Sequence, residues 1–164
     1  MVDFDDIFRA HYARMVGSLA CVAGDREVAA DCVQEAFVRA HTRWRRVGAY
    51  DDPVGWVRRV ALNLVKDQAK RSARKRRAED RMAAAGHAEQ QAWGPVDQPV
   101  DLLAAVAELP AQQRMAVVLH YIEGLPVRET ASEMGVSEGV VKFHLHAGRN
   151  RLRQVLDMAR EGDR

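Results

Sequence analysis

The sequence lacks most of what would staple a small chain, anchor it in a membrane or load it with a metal. Two cysteines, Cys21 and Cys32, among 164 residues exclude a disulfide scaffold and a cysteine-rich zinc module. Apolar runs last only a few residues, whereas a transmembrane helix needs roughly 20, so no membrane insertion is expected. The N-terminal MVDFDDIF is acidic and carries no basic stretch followed by an apolar one, so no secretory signal is expected either. There is no phosphate loop, no H-E-x-x-H pair and no dinucleotide glycine pattern. His144 and His146 stand two apart, a spacing that does not share a helix face and makes a poor metal pair. These absences point to a soluble cytoplasmic protein without a cofactor, a metal or a catalytic residue.

What is present is an ample supply of core residues, 48% hydrophobic, and an uneven spread of charge. The net charge is only +2. Residues 58–77 nevertheless hold nine bases (Arg58, Arg59, Lys66, Lys70, Arg71, Arg74, Lys75, Arg76 and Arg77) against Asp67 alone. Residues 142–153 add Lys142, Arg149, Arg151 and Arg153 with no acid. Two basic blocks on a nearly neutral chain are the footprint of two contacts with a polyanion.

Apolar residues recur at helical rather than alternating spacing. A first helix is predicted from Phe4 to about Ala23, with Ile7, Ala10, His11, Met15, Leu19 and Val22 near one face. Asp25 caps a second through about Arg46, striped by Val28, Cys32, Val33, Ala36, Phe37 and Ala40. Asp52-Pro53 opens a third, carrying Val57, Val60, Ala61, Leu64 and Gln68 before the basic run. From 79 to 99 the stripe is lost among alanine, glutamine, glycine and proline, and Trp93 is isolated; this reads as a linker. Helical patterning resumes after Pro99. The expected architecture is all-α, with two small helical domains, 1–78 and 100–160, joined by a flexible linker.

In the second module, VRETASEMGVSEGVVKFHL has the spacing of a helix-turn-helix. Ala131 is small where the helices cross. Gly135 permits the positive φ that leaves the first helix, Val136 fills the turn, and Ser137 can cap the second helix. Val141 and Leu145 return to the core. Glu138, Lys142, Phe143, His146 and Arg149 face outward, as a DNA-reading helix requires.

Three segments together resemble one family. DCVQEAFVRAH at 31–41 resembles the polymerase-binding segment of bacterial RNA polymerase sigma factors. PVGWVRRVALNLVKDQAKRSARKRR at 53–77 resembles the segment that opens and reads the promoter −10 element. The stretch from Asp101 to Leu156 resembles region four, which reads the −35 element. The order and the variable linker are similar to the extracytoplasmic-function (ECF) group of the sigma-70 family, and the Ala-, Arg- and Val-rich style to its actinobacterial members.

The resemblance implies roles. Asp31, Gln34, Glu35, Val38 and Arg39 would dock on the clamp helices of the largest subunit of core RNA polymerase. Trp56, Asn63, Lys66, Lys70, Arg71 and Arg74 would hold melted −10 DNA, with Asn63 and the loop from Val47 to Asp52 near a flipped base. Arg128, Ser137, Glu138, Lys142, Phe143, His146 and Arg149 would meet −35 duplex. Leu109, Pro110 and Arg114 match the family's LP-x-x-x-R opening, and the face around Val118 and Tyr121 would meet the flap of the second-largest subunit. Anti-sigma factors are common partners in the group. Val140, Phe143 and the pair Ala147-Gly148 depart from the family pattern, which usually has threonine, a small polar residue and Arg-Ala there. A reading from another class, a free-standing regulator that uses only the helix-turn-helix, leaves the 31–41 and Trp56-Asn63-Asp67 patterns unexplained.

Overall fold

Three of the helices are started by aspartates. In the computed structural model, which describes residues 2–81 and 102–162, Asp3 Oδ1 accepts from the Asp5 amide at 2.8 Å and opens α1 (Phe4–Ala23). Asp25 accepts from the Glu27 and Val28 amides and opens α2 (Arg26–Thr42). Asp52 accepts from the Gly55 amide at 2.7 Å and, with Pro53 at the first helical position, opens α4 (Pro53–Asp80). Each such cap satisfies an amide that the helix itself cannot, and contributes about 1 kcal/mol.

The expected second helix does not run through to Arg46. It stops at Thr42, where the hydroxyl donates back to the Arg39 carbonyl and Arg43 takes a ψ of 21°. A short helix α3 (Trp44–Val47) follows at a new angle. The break turns the Trp44 indole so that its N–H donates to the Val2 carbonyl at 3.2 Å. The ring also stands edge-on to Phe4, 5.2 Å between centroids. Trp44 is therefore committed to closing the base of the first unit.

The chain divides into two units, Met1–Gln91 and Ala92–Arg164. The division falls outside the described residues, as do Trp93 and most of the expected linker; of that linker, Glu79 and Asp80 instead finish α4. In the first unit α1, α2 and α4 pack around Leu19, Val33, Phe37, Val57, Leu62 and Val65. The buried stripe of α4 is Val57, Ala61, Leu62 and Val65, whereas the predicted Val60 and Leu64 lie at its edge, half-buried. Ala10, predicted on the inner face of α1, is exposed.

In the second unit, α5 (Leu102–Ala107) and α6 (Ala111–Val117) are joined across Pro110. Arg114 Nη1 donates to the Ala107 carbonyl at 2.9 Å, so the LP-x-x-x-R element terminates α5. The helix then widens into a π-helical turn, Val118–Ile122, in which the Glu123 amide reaches back to the Val118 carbonyl. The Leu125 carbonyl accepts from both His120 Nδ1 (2.7 Å) and the Thr130 hydroxyl (3.3 Å), tying this turn to α7 (Val127–Met134). Gly135, at φ 67°, ends α7, and Ser137 Oγ accepts from the Val140 amide to start α8 (Glu138–Gly162).

The inner edge of α8 is Val141, Leu145, Gly148 and Leu152. Gly148 is less a defect in the helix than a contact: a Cβ added there would lie 2.8 Å from Val117 Cγ2 on α6. Alanine would gain about 1 kcal/mol of helix propensity, but overpacking costs about 1–3 kcal/mol and a valine has little rotamer freedom with which to yield. Gly148→Ala is therefore expected to lower the urea midpoint of the protein. In a Val117→Ala background the same change should be neutral or stabilising, and a loss of equal size in both backgrounds would contradict the contact.

Candidate nucleic-acid and partner interfaces

The residues expected to carry binding form three sets, on α2, on α4, and on α7 and α8, and each set turns away from its own core. On α2, Asp31, Gln34, Glu35, Val38 and Arg39 are all exposed. At about 100° per residue they span a face roughly 140° wide, opposite the buried Val33, Ala36, Phe37 and Ala40. Glu35 and Arg39 pair across one turn at 2.7 Å with both side chains about half exposed. Such a pair adds little stability, but it presents a fixed acid-base couple beside Val38, which is 51% exposed.

A groove of about 450 Å³ adjoins this face, lined by Phe4, Phe8, Tyr12, Gln34, Phe37, Val38 and His41. The Phe8 ring lies 4.9 Å from Tyr12, tilted to it, and stands edge-on to Phe37 at 5.1 Å. The sequence reading missed this aromatic row. Its signal was Phe4, Phe8 and Tyr12 at four-residue steps, a spacing that puts three rings on one side of α1.

On α4, Trp56, Asn63, Lys70 and Arg74 fall within about 40° of one another around the helix axis. Lys66 and Arg71 flank this stripe. Asn63, Lys70, Arg71 and Arg74 are exposed, whereas Trp56 and Lys66 are half-buried. Past Val65 no residue of α4 is buried, so its second half extends as a largely solvated, basic helix. In the loop before it, Val47 and Gly48 are buried and the Asp52 carboxylate is engaged in capping. Tyr50 is the aromatic that the loop leaves exposed, at 38%.

On α8, Lys142, Phe143, His146 and Arg149 are exposed, as are Ser137 and Glu138 at its start and Arg128 on α7. Ser137 spends its oxygen lone pair on the cap and keeps its hydroxyl proton for a further acceptor. Asn150, not singled out in the sequence, donates to His146 Nε2 at 3.3 Å and shares its side of the helix. The expected apolar face at Val118 and Tyr121 is only half there: Val118 is fully buried in the core, and Tyr121 alone is exposed.

Neither the buried Cys21 nor the half-buried Cys32 is in a disulfide. Burial pushes the Cys32 thiol up from its ordinary pKa, and the negative Asp31 beside it adds to this. Such a thiol stays protonated and unreactive near neutral pH. Among the described residues no group of three or more His, Cys, Asp or Glu could hold a metal ion. No helix there is long and apolar enough to cross a membrane.

A three-helix unit with a basic helical extension and a helix-turn-helix unit are, in that order, the two modules of a sigma factor. The family model for Sigma-70 region 2 matches residues 7–76 and that for Sigma-70, region 4 matches residues 100–152. The chain is 33% identical over 163 residues to the ECF RNA polymerase sigma factor SigE of Mycolicibacterium smegmatis, covering 95% of this chain and 62% of that protein. It is 30% identical over 164 residues to the ECF sigma factor SigM of Mycobacterium tuberculosis, covering 97% of this chain and 80% of SigM. The chain thus belongs to the ECF group of sigma-70-family RNA polymerase sigma factors. Two solved structures share the fold. The sigma factor RpoE of Bartonella quintana, in complex with the anti-sigma factor NepR, has a TM-score of 0.65 at 22% identity, covering 94% of this chain and 97% of that one. CnrH, in complex with the cytosolic domain of CnrY, has a TM-score of 0.51 at 24% identity, covering 94% and 88%.

An isolated helical stretch of this length is marginal in water, and repulsion among its cations weakens it further. Amides of residues 66–80 are expected to exchange hydrogen faster than those of 53–65 in the free protein. Slow exchange throughout, without DNA, would contradict the marginal extension.

Proposed function

We propose that this chain is a dissociable promoter-specificity subunit of RNA polymerase. Its family consists of regulatory DNA-recognition subunits rather than enzymes. The observation that carries the proposal is that none of the three residue sets is consumed by a core. Every member is exposed or half-buried on the outer side of its helix.

The exposed face of α2 docks on the clamp helices of the largest polymerase subunit, with Glu35 and Arg39 as the charged couple and Val38 as the apolar contact. Tyr121 meets the flap of the second-largest subunit. Once docked, α8 lies in the major groove of −35 duplex, its cations on phosphates. The α4 stripe holds the melted −10 strand. Extruding a base costs a few kcal/mol, and stacking on an aromatic side chain returns about 1–3 kcal/mol per base. Tyr50 and Trp56 supply rings, Asn63 supplies a hydrogen-bonding amide, and Lys66, Lys70, Arg71 and Arg74 bind the phosphates. The domain limits 1–78 and 100–160 describe the functional modules in this reading. The Bartonella quintana neighbour was solved with an anti-sigma factor, which supports that class of partner here. The site of action is the cytoplasm, where polymerase and promoter are found.

Purified bacterial core polymerase should retain the wild-type chain in a pull-down. The Glu35→Lys, Arg39→Glu double variant keeps an intramolecular ion pair but reverses the surface, and its capture should fall at least about tenfold, the effect of losing one buried charge contact. If the wild type is not captured and instead binds a specific duplex alone, the chain is a free-standing regulator.

Lys142→Ala and Arg149→Ala should each weaken −35-dependent transcription by about three- to tenfold, as expected for a lost phosphate contact, with core capture unchanged. Equal loss of core capture would remove α8 from the DNA.

A further inference from the structure

The outermost line of α8 is not basic. With the buried Val141, Leu145, Gly148 and Leu152 taken as pointing inward, a rotation of about 100° per residue sets Phe143 within about 10° of diametrically outward. The ring is 67% exposed, more than any other large hydrophobic side chain among the described residues. It meets the His144 ring edge-on at 5.5 Å but is otherwise uncovered. Val140, one turn earlier and about 60° around the helix toward Arg151, is 39% exposed. Gly139 and Ala147, four residues to either side, are too small to screen the ring. Lys142, Arg149 and Arg153 lie along one flank of the line and Arg151 lies on the other.

This arrangement fits a groove better than a flat partner. Cations on both flanks match phosphates on both walls, and the Phe143 ring, with the Asn150 amide two turns on, then faces the floor. The major-groove floor offers hydrogen-bonding edges and one apolar group, the 5-methyl of thymine. A protein partner would ask for a broad apolar patch, whereas this one is a single ring and a valine hemmed in by charge. We propose that Phe143, with Val140 beside it, reads a thymine 5-methyl group in the duplex contacted by α8. The proposal rests on α8 being the DNA-reading helix. It assigns Phe143 a specificity role that a polar residue at that position could not fill.

The test separates the two readings. Holoenzyme assembled from core polymerase and the full chain selects duplexes from a randomised pool. Each thymine of the selected −35 segment is then replaced by deoxyuridine, which removes the methyl and leaves base pairing intact. Wild-type holoenzyme should lose about fourfold in affinity at one or two thymines, the value of one buried methyl group. Phe143→Ser should bind thymine and deoxyuridine duplexes equally, and Phe143→Leu should keep part of the discrimination. Because the ring is exposed, neither change removes core packing. If a sequence is selected but no deoxyuridine substitution matters, methyl reading is overturned while the sigma assignment stands. If no sequence is selected at all, that assignment fails with it. If Phe143→Ser reduces core capture and leaves base discrimination unaltered, the ring faces a protein.

Discussion

Close approach of helices through small residues is the constraint on which both units rest. Ala20, Ala29, Ala36, Ala40 and Ala61 are wholly buried in the first unit, and Gly148 lets α8 touch α6 in the second. Units of this size bury a limited share of their surface, so helices that pack tightly on few large side chains gain dispersion contacts that bulkier neighbours would prevent. The arrangement also frees residues for binding. With alanines at the contacts, Val38, Tyr50, Trp56 and Phe143 need not serve as the main core fillers.

The three outward faces proposed for binding then follow from phase alone. A core stripe on one side of a helix dictates an outward stripe on the other, and the chemistry of each outward stripe differs. On α2 it is an ion pair and a valine, suited to a protein surface. On α4 it is an aromatic, an amide and a ladder of cations, suited to unpaired bases and their phosphates. On α8 it is an exposed phenyl ring and an amide between cations, suited to a duplex groove. The three outward stripes thus differ in chemistry although each helix follows the same inward rule.

Much of this was legible in the sequence because it is local. Aspartate caps, Gly135, Ser137 and the stripe of α8 depend on neighbours within one or two turns, and the helices they predict are present. What was not legible depends on tertiary contact. The stop at Thr42 is coupled to a Trp44 indole bonded to Val2, 42 residues earlier in the chain. Gly148 reads as a weak helix residue until Val117 is seen opposite it. Val118 was expected outward beside Tyr121 only through the family resemblance, and packing at the start of the π-helical turn buries it instead. The aromatic groove beside α2 required two helices to be placed side by side, although the four-residue spacing on α1 announced half of it.

The widened turn at Val118–Ile122 has a consequence for how this part of the chain can change. A π-helical turn stores one more residue than an α-helix of the same rise. The surplus is taken up within a single full turn. Losing that one residue can therefore be absorbed by tightening the turn to α-helical pitch, with the chain beyond it keeping its phase. The bonds from His120 and Thr130 to the Leu125 carbonyl are what hold the surplus in place. A one-residue change of length in this segment is thus absorbed locally, whereas the tie to α7 rests on the identity of His120 and Thr130.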